Sequence, residues 1–418
     1  MELKRVVVTG LGALTPIGKT VPEYWEGLVN GVSGAAPMTR FDTEKFKTKF
    51  ACEVKDFVAE DYLDKKEARK LDPFVQYALV ATEEAVKDAG LDFTKLNTNR
   101  IGVIWGAGIG GLKTFLDEIM TFAKGDGTPR LNPFFIPKMI IDIAPGHISM
   151  KYGLRGPNFS CVSACASSTN ALIDAFTYIK MGRADMIVSG GSEAILNEAG
   201  IGGFNAMHAL STRNDDPKTA SRPFDKDRDG FVAGEGAGTI ILEELEHAKA
   251  RGAKIYAEIV GGGMSADANH ITAPHPEGLG AKLVMQSALD DAGLKTSDID
   301  YINVHGTSTP LGDISETTAI VNLFGEDAYK LNISSTKSMT GHLLGAAGAI
   351  ESIACILAIQ NGTVPPTINH FTDDPAIDPK LNLTFNTPQK RDIKYALSNT
   401  FGFGGHNASV IFKKYEGK

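Results

Sequence analysis

Three residues that lie far apart in the sequence combine a nucleophile with two imidazoles. Cys165 lies in SCVSACASSTNALI, His305 in NVHGTSTPLGD and His342 in SSTKSMTGHLLGAAG. A cysteine reacts as its thiolate, and an ordinary thiol pKa of about 8.5 leaves it mostly protonated near neutral pH. Imidazole N–H groups can stabilise negative charge that develops on an oxygen. The combination is typical of carbon–carbon bond formation on a thioester.

The residues around Cys165 predict a turn between a strand and a helix. Residues 159–164 form a short apolar run, and Leu172, Phe176 and Ile179 follow at helical spacing. Unpaired N–H groups and the positive end of a helix dipole favour a thiolate at such a place. A small buried cysteine with no chemistry is the alternative that this position alone leaves open.

The two histidines have comparable settings. His305 ends the apolar run 301–304 and precedes a polar loop, and His342 follows Gly341 ahead of an apolar helical stretch. Either histidine alone could be an ordinary hydrogen-bonded polar residue. Two of them, together with a thiol in a third such setting, favour one shared site.

Longer motifs give the sequence a specific resemblance. They are VVVTGLGALTPIG near the start, RPFDKDRDGFVAGEGAG in the middle and NTFGFGGHNASVIF near the end. With the three motifs above, they make the chain similar to the elongating β-ketoacyl-acyl carrier protein synthases of the thiolase fold, most closely to their synthase II group. The likeness covers essentially the whole chain.

The resemblance implies a role for each of the three residues. Cys165 would take an acyl group from the phosphopantetheine of an acyl carrier protein. His305 and His342 would bind the malonyl thioester carbonyl and stabilise the enolate that forms as CO2 leaves. The product would be a β-ketoacyl chain two carbons longer, as in type II fatty acid synthesis, and no cofactor beyond the carrier's phosphopantetheine is expected.

The same resemblance assigns supporting residues. Lys337 would support the histidines, Glu351 would complete their polar network, and the N–H groups of Cys165 and Phe403 would form an oxyanion hole. The GFGG run at 402–405 would be a gating loop in which Phe403 moves. A surface lysine and a glycine-rich turn before a terminal strand are the structural alternatives.

Further residues are expected in substrate and carrier binding. Ile109 would lie at the end of the bound acyl chain, and Phe134 and Phe135 would close that pocket from the other subunit of a homodimer. The remaining substrate-binding candidates are Phe401, Thr307 and Thr309. The candidates for docking the acidic carrier protein are the cations of DKKEARK and one more arginine, namely Lys65, Lys66, Arg69, Lys70 and Arg130.

An internal repeat predicts the architecture. ATEEAVKDAGLD (81–92) and MQSALDDAGLK (285–295) share DAGL, and each precedes a strand that runs into glycine. Each half also opens on a strand followed by glycines. We therefore expect an α/β fold with layered α-β-α-β-α architecture. Residues 1–250 would carry the nucleophile and residues 251–418 both histidines, with Cys165 and His342 in parallel places.

Composition excludes several classes of protein. The chain has 418 residues, 43% hydrophobic and 22% charged, with a formal net charge of −8, which argues against a general nucleic-acid surface. Four cysteines are too few for a disulfide scaffold. No signal sequence and no membrane-length apolar run is evident, so we expect a cytoplasmic protein.

Competing motifs are weaker. GAGIGG (106–111) fits a dinucleotide loop, but the following interval lacks the second strand and acid that such a fold needs. No second ligand pair accompanies Cys161 and Cys165, so no metal site is expected. The sequence leaves open whether a monovalent cation lies near Glu351 and Asn399.

Two other activities fit these motifs less well. A degradative thiolase would bring a second cysteine near NTFGFGGHN, and a chain-length factor would lack the cysteine at position 165. A polyketide ketosynthase shares all three residues and remains an alternative.

Overall fold

The computed structural model describes residues 3–417. Its strands are β1 (Val6–Leu14), β2 (Ala36–Pro37), β3 (Phe50–Ala51), β4 (Ile101–Gly106), β5 (Asn158–Cys161), β6 (Met186–Glu193), β7 (Gly236–Glu244), β8 (Ala257–Ala266), β9 (Tyr301–Asn303), β10 (Asn332–Ser334), β11 (Thr363–Val364), β12 (Gln389–Lys390), β13 (Tyr395–Gly402) and β14 (His406–Lys414).

The helices alternate with these strands. They are α1 (Val21–Val29), α2 (Lys65–Ala68), α3 (Pro73–Asp88), α4 (Leu112–Ala123), α5 (Phe135–Met139), α6 (Ile143–Tyr152), α7 (Ser167–Lys180), α8 (Glu198–Ala206), α9 (Leu245–Ala250), α10 (Leu279–Ala292), α11 (Pro310–Phe324), α12 (Lys337–Thr340) and α13 (Ala347–Asn361). Short 3₁₀ helices lie at Ala59–Asp61, Phe93–Lys95, Thr98–Arg100, Ala164–Ala166, Pro217–Thr219, Thr296–Asp298, Gly325–Tyr329 and Leu344–Ala346.

Ten strands form one mixed sheet that contains the same arrangement twice. The order is β10-β9-β13-β14-β8-β1-β7-β6-β4-β5. The five sheet strands of the first half are β1, β4, β5, β6 and β7, and those of the second half are β8, β9, β10, β13 and β14. Numbered in chain order within each half, both sets lie in the order third, second, fourth, fifth, first from the outer edge to the centre of the sheet. The halves join where β1 pairs with β8 over a short register from Val6 opposite Ile259 to Val8 opposite Ala257.

Two helices lie between the halves of the sheet. α7 contacts β4, β6 and β7 of the first half and β8 and β14 of the second, and α13 contacts strands of both halves. α3 covers the outer face of the first half and α10 that of the second. The stretch Leu344–Asn361 is long and apolar enough to span a membrane, but 89% of it is buried in the fold. It is a core helix of this layered structure.

The DAGL repeat has the same structural role in both halves. Beyond their short register, β1 and β8 separate, so some of their N–H groups need other partners. Asp88 accepts the N–H of Leu11 at 2.9 Å, and Asp291 accepts the N–H of Gly262 at 3.1 Å. The two aspartates therefore accept backbone N–H groups of β1 and β8 at the point where these strands separate.

Close helix packing explains the glycines that follow the opening strands. A Cβ added at Gly10 would lie 2.5 Å from the carbonyl oxygen of Ala85, and one at Gly261 would lie 2.5 Å from that of Ala288. Any larger residue would push the helix off the strand. The glycine pattern thus records how closely α3 and α10 lie on the sheet.

A pair of strained turns shows which residues of the halves are equivalent. Ala164 and Leu344 have φ values of 51° and 49°, and each begins a 3₁₀ turn that leads directly into α7 or α13. Cys165 therefore corresponds to Gly345. The expectation that Cys165 and His342 occupy parallel places is wrong, because the second half has a longer segment before its turn, and that segment holds α12 and His342.

Candidate active site

The fold brings the thiol and both imidazoles together. The Nε2 atom of His342 lies 3.1 Å from Sγ of Cys165, and the rings of His305 and His342 are 5.2 Å apart at 87°. All three side chains line a cavity of about 520 Å³. A substrate in this cavity can contact the nucleophile and both imidazoles at once.

The surroundings of His342 fix its tautomer. The N–H of Leu344 donates to Nδ1 at 3.3 Å, so the hydrogen of the neutral ring is assigned to Nε2. The Phe231 ring packs edge-on against the imidazole with centroids 5.3 Å apart. His342 thus presents an Nε2–H donor to the space beside Cys165.

Burial dominates the acidity of the thiol. The Cys165 residue is 7% exposed, and this burial raises the pKa of its thiol to about 12. The Lys337 cation and a hydrogen bond from the N–H of Phe403 oppose that shift. The helix start was expected to favour the thiolate, but desolvation outweighs the nearby positive charge.

Both histidines are neutral for the same reason. Burial and the nearby Lys337 cation hold the pKa of His305 and the pKa of His342 well below the usual value. A neutral imidazole can donate one N–H without adding a second charge to the site. The pair is suited to hydrogen-bonding a developing oxyanion.

A buried ion pair supplies the positive charge. Lys337 Nζ lies 2.5 Å from Glu351 Oε1, and their side chains are 1% and 0% exposed. Lys337 starts α12 and Glu351 lies in α13. Burial raises the pKa of Glu351 to about 7 against the opposing effect of Lys337. The resemblance gave Lys337 as the support of the histidines and Glu351 as the acid that completes their polar network, and the structure places the two in contact.

A second buried carboxylate holds the His305 loop, and sequence reasoning missed it. Glu316 in α11 accepts the N–H of His305 at 2.9 Å and that of Gly306 at 2.8 Å. Burial raises the pKa of Glu316 to about 7. His305 Nδ1 is buried without a hydrogen-bond partner. The available signal was a second acid, after Asp313, within a helix that is largely buried.

The GFGG run forms the turn between β13 and β14. Phe401 packs against His305 with ring centroids 5.5 Å apart, and Phe403 lines the cavity beside Cys165. A Cβ on Gly402 would lie 2.5 Å from the Ser163 carbonyl oxygen. The turn is therefore packed directly on the nucleophile's backbone, and movement of Phe403 stays a prediction.

The predicted substrate residues divide into two groups. Ile109, Phe401, Thr307 and Thr309 line the cavity, with the two threonine hydroxyl oxygens 3.0 Å apart.

Phe134 and Phe135 do not line the cavity. Phe134 is 47% exposed, and Phe135 packs against Phe115 with ring centroids 6.3 Å apart. Their contribution to a neighbouring subunit's pocket stays a prediction.

The predicted docking cations are exposed and lie outside the cavity. Lys65 and Lys66 belong to the short helix α2, Arg69 and Lys70 follow it, and Lys70 pairs with Glu67 at 2.8 Å. Arg130 lies 3.8 Å from Asp126. Exposed cations of this kind are available to an acidic surface.

Buried oxygen atoms near Glu351 and Asn399 are the groups that a monovalent cation would contact. Asn399 is engaged through hydrogen bonds with Ser409 and Glu316. Asn303 Oδ1, Glu351 Oε2 and Ser398 Oγ are buried without partners, and Ser398 pairs with Asn303 across β13 and β9. Such oxygen donors fit a hard cation. Across residues 3–417, no group of three His, Cys, Asp or Glu side chains could hold a metal ion.

Comparison with known proteins decides the family. A model described as "Beta-ketoacyl synthase, N-terminal domain" matches residues 3–248, and one described as "Beta-ketoacyl synthase, C-terminal domain" matches residues 256–371. The chain belongs to the β-ketoacyl synthase family. The predicted thiolase-like α/β fold is thereby confirmed as well.

Individual synthases match over the full length. The chain is 53% identical over 414 residues to 3-oxoacyl-[acyl-carrier-protein] synthase 2 of Staphylococcus aureus (strain COL), covering 99% of both chains. Among solved structures, the ishigamide ketosynthase/chain length factor matches with a TM-score of 0.92 and 37% identity over 99% of this chain and 100% of that one.

A second solved structure includes a carrier protein. It is a type II polyketide ketosynthase bound to the hexaketide and in complex with its acyl-carrier protein. It matches with a TM-score of 0.90 and 35% identity over 99% of this chain and 100% of that chain.

Proposed function

We propose that this synthase elongates fatty acyl chains by decarboxylative condensation of malonyl-acyl carrier protein with an acyl-enzyme. The observation that carries the proposal is the single cavity in which Cys165, His305 and His342 meet. The synthase 2 of Staphylococcus aureus (strain COL) is 53% identical, whereas the type II polyketide ketosynthase structure is 35% identical, so fatty acid synthesis is favoured.

In the first step, Cys165 Sγ attacks the thioester carbonyl of acyl-carrier protein. The new bond joins Sγ to the acyl carbon, the bond to the phosphopantetheine sulfur breaks, and the thiol proton leaves with the released carrier thiol. Transient negative charge on the carbonyl oxygen would be stabilised by the N–H groups of Cys165 and Phe403. In the free protein, the backbone N–H of Phe403 already opposes the rise that burial causes in the thiol pKa.

In the second step, malonyl-carrier protein enters and loses CO2. The electron pair of the broken C–C bond becomes an enolate whose oxygen accepts the N–H groups of His305 and His342. Its carbon then attacks the acyl carbonyl, the bond from that carbon to Cys165 sulfur breaks, and the released thiolate takes a proton from solvent water. Because both imidazoles are neutral donors, no second cation enters the buried site.

The protein would act in the cytoplasm as a homodimer that receives its substrates from acyl carrier protein. β5 is an edge strand of the sheet, and Val162 directly after it is 57% exposed. An edge strand with exposed apolar neighbours is suited to pairing with a second copy. The exposed cations of α2 are suited to an acidic carrier.

The test follows each half-reaction separately. Acyl-carrier protein should give an acyl adduct on Cys165 by intact-protein mass spectrometry, and malonyl-carrier protein should then give one β-ketoacyl product two carbons longer. Cys165→Ala should give no adduct, whereas Cys161→Ala should give the wild-type amount. An adduct on Cys165→Ala would sink the assignment, and products extended repeatedly without β-keto reduction would favour the polyketide alternative.

A further inference from the structure

Glu193 ends β6 with a fully buried carboxylate that the steps above leave unused. Its Oε1 accepts the N–H groups of Ile109 and Gly110, each at 3.1 Å. Its Oε2 accepts those of Gly108 at 2.8 Å and Gly345 at 3.1 Å. Burial raises the pKa of this carboxyl, and the four backbone N–H groups oppose that rise.

This arrangement explains the glycine-rich motif at 106–111. Successive backbone N–H groups form a concave anion site, which is what a dinucleotide loop offers to phosphate. Here the anion is a side chain of the same protein. A Cβ at Gly108 would lie 2.8 Å from Glu193 Oε2, and one at Gly345 would lie 2.7 Å from it. Glycine at both positions lets the carboxylate approach.

The four N–H groups belong to the two segments that shape the active site. Ile109 lines the same cavity as Cys165 and would limit the acyl chain. Gly345 directly follows Leu344, whose N–H holds Nδ1 of His342. One carboxylate therefore ties the acyl end of the cavity to the turn that orients a histidine.

We propose that Glu193 is a positioning residue that sets acyl-chain selection and the placement of His342 together. The inference rests on the condensing function proposed above. When the hydrogen bonds to Glu193 are weakened, the 108–110 loop no longer holds Ile109 in one place. The turn at 344–345 then loses the bond from Gly345 to Glu193 and keeps only the bond from Leu344 to His342. Chain-length preference and malonyl decarboxylation should then change in the same variant.

Glu193→Gln is the direct test, because glutamine keeps the volume but turns an NH2 group toward N–H donors. The full-length protein is assayed with a series of saturated acyl-carrier proteins of increasing length. We expect the ratio of kcat/KM between long and short chains to shift about tenfold, the size of a hydrogen bond to a charged group. Malonyl decarboxylation should fall by a similar factor.

Glu84→Gln is the matched control. Its carboxylate also accepts two backbone N–H groups, from Ala13 at 2.8 Å and Val21 at 2.7 Å, but it does not line the cavity. It should lower stability in urea unfolding and leave the chain-length ratio unchanged. An equal shift in both variants would reduce Glu193 to a general stabilising role and overturn the proposal.

A second variant keeps the proposal open to refutation if Glu193→Gln does not fold. Gly108→Ala leaves the carboxyl group in place but forces a Cβ against Oε2, so it should shift the chain-length ratio in the same way. A wild-type profile in either folded variant overturns the inference. Failure of the wild-type protein itself to elongate any substrate would instead refute the proposed function.

Discussion

His342 Nε2 lies 3.1 Å from Cys165 Sγ although 177 residues separate the two in sequence. The contact is possible because α7 and α13 lie side by side between the two halves of the sheet, each led by a strained turn. The imidazole donates from the second half toward a nucleophile of the first. The contact between the thiol and this imidazole therefore requires both halves of the internally duplicated fold.

Replacing either histidine should separate the two half-reactions. In His305→Ala and His342→Ala, malonyl decarboxylation should fall about 10²- to 10³-fold, the usual effect of removing one oxyanion donor, while acylation of Cys165 falls far less. Decarboxylation is followed by release of labelled CO2 and acylation by intact mass. His147→Ala, in α6 and outside the cavity, should leave both unchanged. Equal loss of both half-reactions would contradict the assigned roles.

Alkylation of Cys165 should respond to pH as a buried thiol does. Because burial raises its pKa to about 12, the rate with iodoacetamide should rise roughly tenfold per pH unit from about pH 7 to 10 without a plateau. The modified Cys165 peptide is quantified by mass spectrometry. The urea-unfolded chain should instead plateau near the ordinary thiol value. A plateau in the folded protein below about pH 8 would mean that the helix start and Lys337 outweigh burial.

Breaking the Lys337–Glu351 pair should cost stability in a pH-dependent way. Lys337→Met leaves a buried unpaired carboxyl and should lower the free energy of unfolding by about 3–5 kcal/mol. The pKa of Glu351, already raised by burial, should rise further, so the folded chain holds a proton that the unfolded chain releases. Stability should therefore fall as pH rises from about 5 to about 8.

The double variant Lys337→Met/Glu351→Met is the control for that experiment. It should recover part of the lost stability and lose the pH dependence that Glu351 causes, because neither charged member of the pair remains. Urea unfolding of all variants measures both effects. A double variant as unstable as the sum of its single changes would mean that the two side chains do not act as a pair.

Gly402 should not tolerate a side chain. In Gly402→Ala, the new Cβ would approach the Ser163 carbonyl oxygen and lie 3.1 Å from the Cys165 nitrogen, which displaces the N–H beside the reacting carbonyl. We expect acylation to fall about 10²-fold by the loss of one aligned donor, measured by single-turnover mass spectrometry. Gly203→Ala in α8 meets nothing within 4 Å and should acylate normally. Normal acylation of Gly402→Ala would contradict a tight turn against the nucleophile.

Local signals in the sequence predict the elements around the reactive groups well. The first half of the apolar run 159–164 lies in β5, the helical spacing after Cys165 becomes α7, and the DAGL repeat marks the equivalent helices α3 and α10. These features depend on residues within a few turns of each other. The expected fold followed from them and from the resemblance.

The pKa of Cys165 and the loop contacts of Glu193 and Glu316 depend on residues that are distant in sequence, so local spacing does not predict them. The raised pKa of Cys165 comes from burial by several elements, and Glu193 meets loop N–H groups about 85 residues earlier and 152 residues later. Glu316 likewise acts through a loop that its own helix follows. An acid at the end of an apolar strand or within a buried helix is the general signal of a carboxyl group that accepts backbone N–H groups from a nearby loop.

The equivalence of Cys165 and Gly345 determines how many thiols the two strained turns of one chain can hold. A side chain at Gly345 would meet the Gly108 nitrogen at 2.2 Å, so the second strained turn has no room for a thiol of its own. The two strained turns of each chain therefore offer one thiol between them, even though the architecture is built twice. The second turn instead contributes Leu344 to the wall of the cavity.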